Sequence, residues 1–260
     1  MWRHFTHSSM AAPPLEVLPN VKNGFFFVCG LTLVFVGLTD VEPEQDGTRN
    51  LQLSPVVYRT WKNTSDMPVP RAQWLDVGFR VVDYDDEEAR KLAVDSHLGD
   101  LWDAMPSSAT QADLFRLLVL LKYGGWYADA DVVPRLGLEA LAFTHDLVFF
   151  NEACGLMWWN RLKYRLGISS ITRAPQYKNS LFAAPRGWRP LRAAILLMER
   201  NVETNKPPWT KAETIEATGP GQLTYALSLF PDELKHAKIV KCRDQPAQFV
   251  HLGMRTWWTR

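Results

Sequence analysis

Between Ala112 and Asp131 the chain reads ADLFRLLVLLKYGGWYADAD, and this stretch limits the fold more than any other. Thr110 to Tyr123 is predicted to be a helix. Thr110 with Asp113 three residues on fits a capping box, and Gly124-Gly125 ends the helix. Trp126 to Val133 is predicted to be a strand, broken by Pro134. A helix that passes at once into a strand through two glycines belongs in an α/β layer fold. Asp113 and Arg116, three apart, share one helix face. Asp129 and Asp131, two apart, point the same way on a regular strand. Carboxylates so placed at a strand terminus suit a hard divalent cation that keeps open positions for phosphate. A lone DxD pair is frequent by chance. The composite AD-x-x-R-(x)7-GG-x-Y-x-D-x-D is specific, because its spacings are fixed over the whole stretch.

The same alternation runs through residues 50–260. Pro55 to Tyr58 reads as a first strand ending at Arg59-Thr60-Trp61, and Phe79 to Val82 as a second, followed by an acidic helix start at Asp85-Asp86-Glu87-Glu88. Leu147 to Phe150 is a short buried strand. Further helices are expected at about Pro190 to Val202 and at Gln222 to Phe230. Lys+Arg of 29 against Asp+Glu of 28 argues against a nucleic-acid partner bound through excess positive charge. A 47% hydrophobic content allows a sizeable core. Three cysteines (Cys29, Cys154, Cys242) without a CxxC pair exclude a cysteine-rich zinc module and a disulfide scaffold.

Residues 24–39, GFFFVCGLTLVFVGLT, carry no charge. Arg3 and Lys22 precede this run, and Asp40, Glu42, Glu44 and Asp46 follow it. It is slightly shorter than the roughly 17–25 residues of a spanning helix, a mismatch that thin early-secretory membranes tolerate. A poor cleavage site counts against the alternative of a cleaved signal peptide, and the lack of a polar face counts against a buried core helix. The expected organisation is a cytoplasmic tail (1–23), a transmembrane signal anchor (24–39), an acidic stalk (40–52) and one domain (53–260) on the lumenal side. Lumenal placement makes Asn63-Thr64-Ser65 a usable glycosylation sequon and leaves a Cys154–Cys242 disulfide open.

ADLFRLLVLLKYGGWYADADV resembles the DXD sugar-binding region of glycosyltransferase family 32. That family includes fungal Golgi mannosyltransferases and inositol-phosphorylceramide mannosyltransferases. The chain is also similar to the α1,4-galactosyltransferases and, more distantly, to clostridial glucosylating toxins. Further blocks carry the resemblance: Ser54 to Lys62 around Thr60-Trp61, Gly78-Phe79 with Asp85 to Arg90, Asn179 to Pro185, Thr218-Gly219-Pro220-Gly221, and His251 with Trp257. It departs from the family in having Val250 before His251 and Ala128 before Asp129.

The resemblance implies a GT-A fold and a retaining, metal-dependent transfer from a nucleotide sugar. It implies that Asp131 holds Mn²⁺ or Mg²⁺, with Asp129 on the metal or the ribose and His251 completing the metal shell or touching the diphosphate. Trp61, Asp113, Arg116, Tyr127, Asp129, Gly219 and Trp257 would contact the donor, and Asp129, Asp131 and Arg116 would serve catalysis. GDP-mannose is the first expected donor and a UDP-hexose such as UDP-galactose the alternative; the acceptor would be a glycan or glycolipid. The implied location is the Golgi or ER membrane, as a single-pass type II protein. The basic, aromatic stretch from Trp158 to Tyr177 reads as an acceptor-side loop, a membrane-facing surface or, equally, a solvated basic helix. Two rivals remain at this point: a phosphatase using Asp129-Ala130-Asp131-Val132-Val133 as D-x-D-x-V, and a non-catalytic lumenal binding protein of the same fold.

Overall fold

The computed structural model describes residues 56–145, 147–152, 176–204 and 209–253. The apolar run 24–39, Trp257 and nearly all of the 158–177 stretch lie outside them. Among the described residues no helix is long and apolar enough to cross a membrane.

The centre is a six-stranded mixed sheet. Its strands are β1 (Val56–Thr60), β2 (Arg80–Tyr84), β3 (Gly125–Ala128), β5 (Val148–Phe150), β6 (Leu181–Ala184) and β7 (Lys238–Val240), in the order β2-β1-β3-β6-β5-β7. β1 pairs in parallel with β2 and β3; β6 runs antiparallel to β3 and β5, and β7 is parallel to β5. A second sheet pairs β4 (Val132–Pro134) with β8 (Phe249–His251), antiparallel, with Val132 opposite His251.

Alternation along the strands supplies two cores. Tyr58, Tyr127, Phe149 and Phe182 face one side, where α4 (Ser108–Tyr123), α6 (Arg189–Thr204) and α8 (Pro220–Ser228) pack. Val57, Trp126, Phe150 and Leu181 face the other, under α5 (Leu136–Thr144) and the Trp74–Phe79 pair. Burying both faces explains why these strands read as nearly continuous apolar runs. Arg59 is fully buried, bonded to Asp83 at 2.7 Å and to the Val69 carbonyl at 2.6 Å. It opposes Asp83 in the β1–β2 register, so the pair ties the two strands together.

Two sequence expectations are corrected. α4 begins at Ser108, and its capping box joins Ser107 to Thr110, not Thr110 to Asp113. A serine one turn earlier has the same capping chemistry and starts the helix sooner, which leaves Asp113 inside the helix and buried. The strand read as Trp126 to Val133 is two strands in two sheets. The chain turns at Asp129–Asp131, where the Val132 amide donates to the Asp129 carbonyl at 3.0 Å. The other expected strands and helices are present within a few residues of their stated bounds. The reversed strand β6 carries the Asn179–Pro185 block, to which the sequence reading gave no strand.

Gly124 ends α4 at φ +69°, and a Cβ there would fall 2.6 Å from the Arg186 backbone nitrogen. Only glycine permits both the conformation and the approach.

Candidate active site

Three parallel strands, β2, β1 and β3, deliver their carboxyl ends to one edge of the sheet. In open α/β sheets that is where ligands bind. Because β6 is reversed, it brings its amino end, Lys178-Asn179-Ser180, to the same edge. Beyond β1 come Trp61 and Lys62; beyond β3 come Asp129 and Asp131; β8 carries His251 beside Val132. A cleft of about 1150 Å³ lies along this edge, and it is lined by Trp61, Asp113, Arg116, Tyr127, Asp129, Asp131, Gly219 and His251 among others. Every proposed site residue that lies within the described residues therefore reaches one cleft.

Arg116 is the hub. It is only 6% exposed. Its Nε donates to the Ala112 carbonyl at 3.1 Å and its Nη1 to the Asn179 carbonyl at 2.8 Å. Nη2 lies 3.2 Å from Asp113 and 3.4 Å from Asp129, and the guanidinium stands 5.0 Å from the Tyr127 ring centre. Burial opposes its charge, but Tyr127, Asp129 and Asp113 together hold its pKa above the ordinary arginine value. It stays a cation whose nitrogens are already engaged by the protein.

Asp113 is held from three directions: Arg116, the Asn179 side-chain amide at 2.8 Å and the Thr218 hydroxyl at 2.8 Å. Burial still raises its pKa, against the pull of Arg116. Its neighbour in function, Asp129, accepts from the Tyr127 hydroxyl at 2.8 Å, and its amide donates to the Ser180 carbonyl at 2.8 Å. Burial raises its pKa too, with Arg116 again the main opposing influence.

His251 Nε2 lies 3.1 Å from Asp131 Oδ1, and that hydrogen bond raises the imidazole pKa above its usual value. Asp129, Asp131 and His251 each offer a ligand atom, all within 4.8 Å of one another. Two carboxylate oxygens and one imidazole nitrogen fit a divalent first-row ion, with the nitrogen favouring Mn²⁺ over Mg²⁺. The triad can therefore hold a metal. It does so from a turn and a neighbouring strand, not from successive positions of one strand.

Sequence reasoning quoted Asn179 and Thr218 only as parts of motif blocks; the structure gives both a task, gripping Asp113. Lys178 and Glu152, paired at 3.2 Å on the cleft wall, carry no sequence signal at all. Asn63, in the sequon, is exposed and its side chain accepts from the Ser65 amide at 3.0 Å. Cys242 is disulfide-bonded, and Cys29 and Cys154 both lie outside the described residues. Replacing Thr218 with valine should remove a buried donor to a carboxylate and destabilise the protein by roughly 1.5–3 kcal/mol, measured by urea unfolding.

Residues 59–146 match a family described as "Glycosyltransferase sugar-binding region containing DXD motif". The match covers about a third of the chain and includes Trp61, Asp113, Arg116, Tyr127, Asp129 and Asp131. This stretch is similar to that sugar-binding region, and the DXD motif falls at Asp129–Asp131. No curated protein matches the chain in sequence. Among solved structures, the PaToxG glycosyltransferase is similar at 14% identity and a TM-score of 0.38, over 69% of this chain and 70% of that one. The UDP-bound glycosyltransferase domain from the YGT toxin is similar at 12% identity and a TM-score of 0.33, over 66% of this chain and 54% of that one.

Proposed function

We propose that the chain is a retaining, divalent-metal-dependent glycosyltransferase of the GT-A type. It moves a hexose from a nucleotide sugar, mannose from GDP-mannose in the first instance, to a glycan or glycolipid. Residues 24–39 would anchor it in the Golgi or ER membrane with residues 53–260 lumenal. The observation that carries the reading is the Asp129–Asp131–His251 cluster, with Arg116 3.4 Å from Asp129, inside a cleft at the carboxyl ends of parallel strands. This arrangement supports the reading of a site for a cation and a diphosphate.

Asp131, Asp129 and His251 would hold the ion, which supplies positive charge to a departing diphosphate. Arg116 partly offsets the burial that raises the pKa values of Asp129 and Asp113, and holds both in place while adding its own charge to the pocket. Asp113, fixed by Asn179 and Thr218, presents a rigid acid to the donor sugar. Trp61, partly exposed at the end of β1, offers an aromatic face for the base. Gly219 precedes α8 and brings bare backbone to the cleft.

The test is a panel of UDP- and GDP-sugars scored for hydrolysis, with Mn²⁺ and with EDTA. Mn²⁺-dependent release from one nucleotide series is expected. Binding of nucleotide sugars without turnover would make this a binding protein, and phosphatase activity on p-nitrophenyl phosphate without sugar release would favour the phosphatase reading.

A further inference from the structure

Among the described residues three lysines and arginines line the cleft: Lys62, Arg116 and Lys178. Lys62 is exposed at the Trp61 end, and Arg116 already faces two carboxylates. Lys178 is different. Its side chain is only 14% exposed, whereas its partner Glu152 is 39% exposed. A lysine so deeply placed is uncommon, and its ammonium is costly to desolvate unless an anion stands beside it.

The backbone fixes this lysine. The Lys178 amide donates to the Phe150 carbonyl at 2.7 Å, and the Asn151–Tyr177 bridge precedes it. The next residue, Asn179, grips both Arg116 and Asp113, and Ser180 anchors the Asp129 amide. Lys178 thus sits on the segment that organises the whole acidic centre. Four carboxylates, Asp113, Asp129, Asp131 and Glu152, line the cleft with these two cations, Arg116 paired with Asp113 and Asp129 and Lys178 with Glu152. A bound diphosphate adds further negative charge. Glu152, the most exposed of the four, is the carboxylate most easily given up to solvent.

We infer that Lys178 is a binding cation for the diphosphate of the nucleotide donor, held ready by Glu152 and exchanged to phosphate when the donor enters. This rests on the glycosyltransferase reading and adds to it a residue and a change of ion-pair partner. An ammonium is a compact, mobile charge, suited to such an exchange where an arginine committed to four partners is not.

The experiment is calorimetric titration of UDP and GDP with Mn²⁺ into the wild type and into Lys178→Gln, Lys178→Arg and Glu152→Gln, with thermal melts alongside. Whichever diphosphate binds the wild type should bind Lys178→Gln about tenfold more weakly, which is 1.4 kcal/mol. The parent nucleoside, followed by ligand-observed NMR, should bind both equally. Lys178→Arg should restore most of the affinity, and Glu152→Gln should leave it unchanged or tighter. Equal loss of nucleoside and diphosphate, no loss in Lys178→Gln, or a loss in Glu152→Gln matching Lys178→Gln would overturn the inference alone. Should the wild type bind neither diphosphate with Mn²⁺, the inference and the glycosyltransferase reading fall together.

Discussion

Asp131→Ala should lower Mn²⁺-dependent donor hydrolysis by at least about a hundredfold, because ion-mediated stabilisation of a developing phosphate charge is worth several kcal/mol. The fold should survive. The turn at 129–131 is closed by main-chain bonds, Val132 to the Asp129 carbonyl and Leu252 to the Asp131 carbonyl, both at 3.0 Å. The side chain instead serves the cleft, where it meets His251. The melting temperature should therefore move by only a few degrees while saturable Mn²⁺ binding, read by electron paramagnetic resonance, is lost. A variant that keeps full hydrolysis and full Mn²⁺ binding would remove the metal role from this residue.

Arg116→Ala should act in the opposite way, on stability first. It strips one buried carboxylate, Asp113, and one partly buried, Asp129, of their common cation, and breaking such a pair costs about 3–5 kcal/mol. Lysine should recover only part, since one ammonium cannot reach Ala112, Asn179, Asp113 and Asp129 together. The deficit should depend on pH with a definite sign. Burial raises the Asp113 pKa in the folded protein, and Arg116 is the strongest influence lowering it. Without Arg116 the folded-state pKa rises further above the unfolded one, so folding takes up a proton. The loss of stability is then greatest at neutral pH and shrinks as pH falls through the folded-state pKa of Asp113. Urea unfolding at pH 7 and pH 5 measures this, and a deficit that grows on acidification would contradict it.

The grouping of these side chains was legible in the sequence because they lie within twenty residues. Asp113, Arg116, Asp129 and Asp131 are spaced by one helix, one glycine turn and one strand, and local geometry alone carries them to a common edge. The capping position was misread because Ser107 and Thr110 offer the same capping chemistry, and one turn decides between them. The break at Asp129 was missed for a related reason. Val132 and Val133 continue an apolar pattern, and nothing local says that they leave one sheet for another.

The sequence by itself determined an α/β chain with a helix, a double glycine and two acids at the end of a strand, because those features follow from residue-to-residue periodicity. Only the tertiary structure decided which distant groups join them. His251 reaches Asp131 through the β4–β8 pairing, and Asn179 and Thr218 reach Asp113 from 66 and 105 residues away. Lys178 reaches the cleft because β6 runs backwards between β3 and β5. Strand direction and order are set by burying both faces of the sheet at once, a global condition that no short window of residues contains.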